Sequence, residues 1–344
     1  SWGNVIYITT LTQNLLWLPY PNGIISDMRL WMIQKIDKQI VDKEASGFAK
    51  ALLIGVKSDI DKDIIKAYTQ LGIIHIIAIS GMHLDIIFKN LVFITGHLPR
   101  KFFWRLLELA IVLITVWIYT FIAFASPSVV RASIFFSLFF MGTFLNQPKY
   151  TLNCIAGGIL VILFFDLHAI HHIGLQLSYA AVIGIHLFYP VFYKMVPMDN
   201  TILNWMWSNL CITLSAQLTT LPILLFHFHQ TSTLVIISNF IMVPLTTILL
   251  YALIVLVMMP NQVSFSMHLG SLIQSYINLL NRMVIYFHQK PIGTPMLIQM
   301  SGQMLVGYYF WLLFLYIWLY KRKAKYLFYS LVIFTLISLI KLFP

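Results

Sequence analysis

The feature that most constrains this chain is a series of apolar segments, each about as long as a bilayer is thick. Nine such segments cover residues 72–97, 103–125, 128–146, 150–166, 176–195, 205–226, 232–258, 302–320 and 326–343. Crossing the hydrocarbon core takes roughly 20 residues, and in lipid a single segment satisfies its own backbone only as a helix. The pattern predicts an all-α polytopic membrane protein with about 9–10 transmembrane helices, several of them broken or kinked.

Residues 266–289 form a tenth candidate span whose polar side carries Asn278, Asn281 and Arg282. This segment either lies at the interface or crosses the bilayer packed against neighbouring helices. The basic loops around Arg105 and Arg322 both face the cytoplasm, as the positive-inside rule requires, only if it crosses. We therefore predict that it crosses.

Composition agrees with a membrane location, because only 10% of the residues are charged, against roughly 25% in soluble domains. The formal net charge is +11. This excess of positive charge either sets the membrane topology and binds anionic lipid headgroups, or it binds a polyanionic substrate.

Residues 1–70 differ from the rest, and we predict an interfacial lead-in with amphipathic helices there, followed by a transmembrane domain over residues 71–344. A second short helix should begin at an N-cap, Ser58, and end at Gly72. The chain opens on Ser1 rather than on an initiator Met, so we expect a fragment or processed chain. No basic segment precedes an apolar run there, so we expect no cleavable signal peptide. The apolar face of the first amphipathic helix comprises Leu30, Ile33, Ile36, Ile40 and Val41.

The span "GIIHIIAISGMHLDIIFK", residues 72–89, carries polar groups inside an apolar setting. Its Ser80-Gly81 pair favours a backbone break or a close helix approach, and His83 lies on the same helical face as Ser80. Asp85 and Lys89, four residues apart, neutralise each other. His75 and His83 are either packing histidines or groups that act as ligands or bases.

The stretch "FASPSVVRASIFF" places an arginine in the next span. Pro127 breaks the helix, because it has no N–H to donate. Arg131 follows one turn later, where an arginine near the bilayer centre costs about 2.5–3.5 kcal/mol. It either reaches the headgroups or pairs with Glu108, or it lines a polar cavity.

Two further spans contain a proline preceded by polar residues: Pro222 follows Gln217, and Pro244 follows Asn239. Each proline leaves the carbonyl four residues earlier, in Leu218 or Phe240, to find other partners, for which Thr and Asn side chains lie nearby. These are ordinary kinks or parts of a hydrophilic route.

The span at residues 176–195 also begins with polar residues, Gln176 and Ser178. The small residues Ala180, Ala181 and Gly184 follow them, and such residues are typical of tight helix packing. Taken together, four or five polar, broken spans indicate an internal hydrophilic route.

Catalytic templates are absent from the sequence. It contains neither GxxxxGK[ST] nor HExxH, and the histidines at 168–172 and 227–229 lack the carboxylates of a metal hydrolase. Cys154 and Cys211 fall in apolar segments and suggest neither a disulfide nor a zinc site. We predict no catalytic residue, no metal and no cofactor. An intramembrane serine hydrolase using Ser80 and His83 stays an alternative, although "AISGMH" does not match the G-x-S-x-G elbow.

Six stretches together resemble the membrane domain of the ComEC/Rec2 competence family. They are "ALLIG" (51–55), "GIIHIIAISGMH" (72–83), "PSVVRA" (127–132), "GLQLSYAAVIGI" (174–185) and "TTLPILLFHF" with "SNFIMVPL" (219–245). The sequence departs from the family pattern at Met82 and at "GVKSD" after the first stretch.

The resemblance implies a channel that passes single-stranded DNA across the bacterial cytoplasmic membrane during natural transformation. It also implies membrane lipids, a periplasmic DNA receptor and a cytosolic helicase-like motor as partners. OB-like and metallo-β-lactamase-like nuclease domains are expected in the full-length family, and neither is evident in this sequence. The alternative to a DNA channel is a small-molecule transporter or exporter with a midplane polar site.

Under this resemblance Arg131 would contact phosphate groups. The other residues that would line or gate the channel are Ser80, Gly81, His83, His75, Gln217, Asn239, Ser178 and Gln176.

Overall fold

The computed structural model describes residues 23–99, 101–146, 151–260, 264–290 and 295–342, and most of them are helical. Residues 1–22 of the predicted lead-in and the basic residue Arg100 lie outside this described part. The chain forms two compact units. The first contains the described residues within 1–69, 73–170 and 242–289, and the second contains the described residues within 70–72, 171–241 and 290–344.

The secondary structure consists of fourteen α-helices in the described residues, one 3-10 turn at Leu167–His171, and two short strands. In chain order these are α1 (Ile24–Gln39), α2 (Lys43–Ile54), α3 (Lys62–Gln70), α4 (Ile74–Ile77), α5 (Gly81–Thr95), α6 (Phe102–Ile122), α7 (Pro127–Phe144), α8 (Thr151–Phe165), α9 (Ile173–Tyr193), α10 (Thr201–Phe228), β1 (Gln230–Ser232), α11 (Val235–Met258), α12 (Ser264–His288), β2 (Pro295–Leu297), α13 (Gly302–Lys321) and α14 (Ala324–Leu342).

In the part of the chain that the structure describes, six helices are long and apolar enough to cross a membrane, namely α6, α7, α9, α10, α11 and α13. Helix α8 and the described part of α14 are apolar but shorter. The predicted class, an all-α polytopic membrane protein, is confirmed. Helix α12 has 25 residues but is not among the six, so the predicted crossing of residues 266–289 stays a prediction.

The predicted span at residues 72–97 is wrong as a continuous helix. Helix α4 has 4 residues, and Ala78 and Ser80 are extended before α5 begins at Gly81. The 15 residues of α5 rise about 22 Å, which is short of a hydrocarbon core about 30 Å thick. The break that Ser80-Gly81 favoured is therefore present.

In the first unit, the buried face of α1 differs from the predicted apolar face. Ile36 is 0% exposed, but Leu30 is 53% and Val41 84% exposed, while Arg29 and Lys35 are buried. These two cations donate to carbonyls at the ends of other helices, which satisfies groups that a helix leaves unpaired at its C-terminus. Charged residues of α1 therefore do not all lie on its exposed face, and its apolar residues do not all lie on its buried face.

Arg29 donates from Nε to the carbonyl of Ile122 at 3.0 Å, at the end of α6. Lys35 donates to the carbonyl of Val257 at 2.6 Å, at the end of α11. Lys50 of α2 forms ion pairs with Asp37 and Asp59. The predicted N-cap Ser58 is wrong, because Asp61 accepts from the backbone N–H of Asp63 at the start of α3.

Helices α6 and α7 of the first unit are antiparallel neighbours. The hydroxyls of Thr120 and Ser133 share a buried hydrogen bond near one end. Trp117 donates to Ser137 at 3.2 Å further along, and Arg105 donates to the carbonyl of Phe144 at the other end. The core between these helices and α5 is apolar and contains Leu84, Val112, Val116, Val129 and Phe140.

The polar side of α12 packs against α2 of the same unit. Asn278 donates to Asp42 at 3.0 Å, and Asn281 is 3.4 Å from Glu44. Tyr68 of α3 also donates to Asn281, at 3.2 Å. The side-chain amides of Asn278 and Asn281, which give α12 its polar side, therefore contact other residues of the protein.

In the second unit, α9 and α10 form a close pair. A Cβ atom at Gly184 of α9 would lie 2.5 Å from the carbonyl oxygen of Ser215 in α10. Phe188 of α9 packs with Leu312 and Leu319 of α13. Strands β1 and β2 form an antiparallel ladder in which Thr231 faces Met296.

Candidate functional site

The break between α4 and α5 is organised by Ser80 and His83. Ser80 donates its backbone N–H to Nδ1 of His83 at 3.1 Å, and its Oγ lies 3.0 Å from the same nitrogen. The imidazole thus serves as the acceptor that a glutamate supplies in the usual capping box. Ser80 is the N-cap of α5. The contact between Ser80 and His83 therefore explains how this helix begins inside an apolar segment.

The same geometry assigns the tautomer of His83. Because Nδ1 accepts the backbone N–H of Ser80, it carries no proton, so the ring proton of the neutral imidazole is on Nε2. His83 is 0% exposed, and Nε2 has no hydrogen-bond partner among the described residues. His83 therefore buries an N–H donor within the first unit, and such groups are expensive to leave unsatisfied.

The first turns of α7 pack directly on this break. Ser128 donates its hydroxyl to the carbonyl of Ile79 at 2.8 Å. A Cβ atom at Gly81 would lie 3.4 Å from the side chain of Ala132. Arg131 lies between Ser128 and Ala132 in the sequence, on the same face of α7. The structure thus brings "AISGMH" and "PSVVRA" together.

Arg131 is only 9% exposed. The predicted alternative partner, Glu108, is too distant. Ser133 of α7 meets Thr120 of α6, and about 18 Å of helix separates Thr120 from Glu108. Glu108 instead lies 3.3 Å from the hydroxyl of Thr95.

The remaining predicted residues of this unit are positioned differently. Pro127 is the first residue of α7, where its missing N–H removes no helix bond. His75 of α4 is exposed. Asp85 and Lys89 form the predicted pair, with Nζ and Oδ2 2.6 Å apart, and such an exposed pair contributes about 0.3–0.5 kcal/mol.

A second polar cluster lies between α9 and α10, within the second unit. Gln176 and His227 are in contact through Oε1 and Nε2 at 3.1 Å. Thr219 donates to the carbonyl of Ala180 at 2.7 Å. The Nε2 group of Gln217 is buried and has no hydrogen-bond partner in the described part of the chain.

Tyrosines of α13 were not identified from the sequence as part of this cluster. Tyr308 and Tyr309 donate their hydroxyls to the carbonyls of Leu218 and Thr219, at 3.3 and 2.9 Å. Pro222 lies inside α10 and cannot bond to Leu218. The predicted partners of this carbonyl, nearby Thr and Asn side chains, are therefore replaced by a tyrosine about 90 residues later in sequence.

Three other predicted positions lie in helices without forming a joint site. Ser178 of α9 is half-buried. Asn239 of α11 is 8% exposed, and its Oδ1 has no hydrogen-bond partner among the described residues. Pro244 lies inside α11, which continues through it. In the part of the chain that the structure describes, no three His, Cys, Asp or Glu side chains converge.

The arrangement offers buried polar groups rather than a triad. Ser80 and His83 are a hydroxyl and an imidazole in contact, but Asp85, the acidic residue nearest to them in sequence, is bound to Lys89. The first unit instead places a hydroxyl, an imidazole and a guanidinium at the break between α4 and α5, and the second places hydroxyl, amide and imidazole groups along α9 and the proline-containing α10. Such groups suit the passage or binding of a polar, anionic ligand.

Comparison with known proteins gives a consistent result. The chain is 27% identical over 260 residues to ComE operon protein 3 of Bacillus subtilis, covering 75% of this chain and 32% of that protein. It is 26% identical over 262 residues to Recombination protein 2 of Haemophilus influenzae, covering 72% and 32%. The chain thus spans about a third of the length of these two relatives. No solved structure matches the chain.

Residues 52–322 match the family described as Competence protein. The match contains the break at Ser80, the buried Arg131 and the cluster between α9 and α10. It also contains all six helices that are long and apolar enough to cross a membrane. The chain therefore belongs to the Competence protein family and is a multi-pass membrane protein.

Proposed function

We propose that this chain is the membrane domain through which single-stranded DNA enters the cytoplasm during natural transformation. The observation that carries the proposal is the packing of α7, with its buried Arg131, on the break between α4 and α5 in a chain of the Competence protein family. The domain lies in the bacterial cytoplasmic membrane and has no catalytic activity of its own.

Electrostatics supports an anionic cargo. DNA carries one negative charge per phosphate, so its route through a membrane must offer cations and polar groups. A guanidinium presents a planar fork of donors that suits phosphate oxygens. The first turns of α5 and α7, which pack together at Ile79, also present the positive ends of two helix dipoles.

Other parts of the uptake machinery supply the driving force. Because the chain spans about a third of its two relatives, nuclease and OB-like domains belong to the full-length protein in this proposal. A periplasmic receptor delivers the DNA, and a cytosolic helicase-like motor pulls the strand. The chain itself provides the path through the lipid.

The test is import of labelled DNA by a competent strain that carries variants of the full-length protein. We expect Arg131→Ala to reduce import and transformation at least tenfold, and Arg131→Lys to retain an intermediate level because it keeps the charge. Arg282→Ala is the matched control, since Arg282 is exposed on α12. Wild-type import by a normally expressed Arg131→Ala protein would remove Arg131 from the mechanism, and import by a strain lacking the whole gene would refute the proposed function.

A second candidate function, an intramembrane serine hydrolase, draws support from the 3.0 Å separation of Ser80 Oγ and His83 Nδ1. A fluorophosphonate probe distinguishes the two functions. We expect no labelling of the wild-type chain, because the contact is part of a helix cap. Labelling that disappears in Ser80→Ala and in His83→Gln would establish the hydrolase instead.

A further inference from the structure

The turn between α6 and α7 has an unusual backbone conformation. Phe124 has a φ of 59° and Ala125 a φ of 45°. This is the left-handed region, which residues with a Cβ atom adopt only at a cost and glycine adopts freely. The backbone N–H of Ala125 closes the turn by donating to the carbonyl of Thr120 at 2.8 Å. Two consecutive residues in this conformation require contacts from elsewhere in the fold that hold them there.

Arg29 of α1 supplies such contacts. It donates from Nε to the carbonyl of Ile122 at 3.0 Å and from Nη2 to the carbonyl of Phe121 at 2.6 Å. Its guanidinium carbon lies 3.8 Å from the centre of the Phe124 ring, which is a cation–π geometry. Arg29 is buried, so these contacts form away from water, where they are stronger. The guanidinium therefore holds both the last turn of α6 and the first left-handed residue after it.

A stiff segment connects this turn to α7. Ser126, with φ −54° and ψ 141°, has the extended conformation that a following proline favours, and Pro127 has a fixed φ as the first residue of α7. A rotation within the turn is therefore passed on to the start of α7. That start binds the carbonyl of Ile79 through Ser128, at the break between α4 and α5. Arg131 follows one helical turn later.

We infer that Arg29 is a positioning residue for Arg131. By holding the turn between α6 and α7, Arg29 sets the start of α7 on the break and, with it, the guanidinium that contacts phosphate. This inference rests on the proposed function, which assigns the phosphate contact to Arg131. Arg29 acts through the protein and not on the strand, because its guanidinium is bound to α6 and to the ring of Phe124.

The experiment measures binding of a fluorescent oligothymidylate to the whole chain in nanodiscs of zwitterionic lipid, over a series of salt concentrations. Each phosphate contact with single-stranded DNA contributes about −0.7 to the slope of log K against log salt. We expect Arg131→Gln and Arg29→Met each to make the slope shallower by this amount, and the double variant to lose no more than either alone. Lys35→Met is the matched control and should keep the wild-type slope, because Lys35, also buried in α1, donates to the carbonyl of Val257 in α11.

Glycine in the turn provides a second test. Ala125→Gly removes the cost of the left-handed conformation at that position, so the turn depends less on Arg29. It should restore most of the slope in the Arg29→Met background and none of it in the Arg131→Gln background. Thermal melting in the same nanodiscs identifies misfolding. If Arg29→Met does not fold, Phe124→Leu takes its place, since it removes the ring but leaves both hydrogen bonds of Arg29, and it should make the slope shallower by a smaller amount.

The outcomes separate the inference from the function. A wild-type slope in Arg29→Met, or a failure of Ala125→Gly to restore it, overturns the positioning role while leaving the channel intact. An additive loss of about 1.4 in the double variant also overturns it, because Arg29 would then contact a phosphate itself. A wild-type slope in Arg131→Gln removes the phosphate contact on which the inference rests. A wild-type chain that binds an uncharged methylphosphonate strand as tightly as the natural strand overturns the proposed function as well.

Discussion

Replacing Gly184 by alanine should force α9 away from α10. A Cβ atom at this position would lie 2.5 Å from the carbonyl oxygen of Ser215 and 2.9 Å from Cγ2 of Thr219, and the hydroxyl of Thr219 would be closer still. The threonine side chain can rotate, but the carbonyl belongs to the backbone of α10 and cannot. The helices must therefore separate by nearly 1 Å, roughly the difference from ordinary contact.

The expected magnitude combines three contributions. Overpacking of this kind costs about 1–3 kcal/mol, and a backbone obstruction favours the upper end of that range. Separation also weakens the bond from Thr219 to the carbonyl of Ala180, now 2.7 Å long, and interhelical bonds of this kind average about 0.6 kcal/mol in membranes. Alanine returns about 1 kcal/mol through its higher helix propensity. The net loss is about 1.5–2.5 kcal/mol, the sum of these three contributions.

The assay is the free energy of unfolding of the purified chain in mixed micelles, followed by tryptophan fluorescence. Gly142→Ala is the matched control, because a Cβ atom at Gly142 of α7 would meet nothing within 4 Å. That control should be as stable as the wild type or more stable. The reasoning is refuted if Gly184→Ala matches Gly142→Ala. It is also refuted if Thr219→Ala fully restores the Gly184→Ala variant, since the carbonyl of Ser215 would still obstruct it.

Two further predictions concern polar contacts. Tyr309→Phe removes the 2.9 Å bond to the carbonyl of Thr219 and should lower the unfolding free energy by about 0.5–1.5 kcal/mol, whereas the exposed Tyr320→Phe should change it little; equal losses would contradict this. Hydrogen bonding to Lys50 holds the pKa of Asp59 below its usual value. The stability it contributes is therefore present at neutral pH and lost as the pH falls below about 4. Asp59→Asn should flatten that part of the acid unfolding curve, and an unchanged curve would count against the ion pair.

Hydropathy was sufficient to place most of the transmembrane helices. The predicted segments 103–125, 232–258 and 302–320 correspond to Phe102–Ile122, Val235–Met258 and Gly302–Lys321. Prediction and structure agree because, in lipid, a long apolar segment can form its backbone hydrogen bonds only within itself, as a helix. Local signals also sufficed for the break at Ser80, where the small and polar pair permits an N-cap.

Long-range partners could not be predicted in the same way. Arg29 and Lys35 are buried because they meet the carbonyls of Ile122 and Val257, which are 93 and 222 positions away. The sequence of α1 shows only that basic residues are present at these positions. A basic residue of an amphipathic helix is usually expected on the exposed face. Tyr309 binds Thr219 across 90 positions for the same kind of reason. The contact of "AISGMH" with "PSVVRA" likewise joins two distant parts of the chain, and neither stretch by itself predicts it.

The buried and half-buried cations of the first unit differ in one respect that bears on function. Arg29, Lys35 and Arg105 donate to carbonyls at the ends of α6, α11 and α7 respectively, where the helix dipole favours positive charge. Arg131 lies in the second turn of α7, near the end at which the dipole disfavours a cation. Hydrogen bonds to helix-end carbonyls thus account for the positions of the first three cations. An anion at that end of α7 would be attracted both by the guanidinium and by the helix N-terminus.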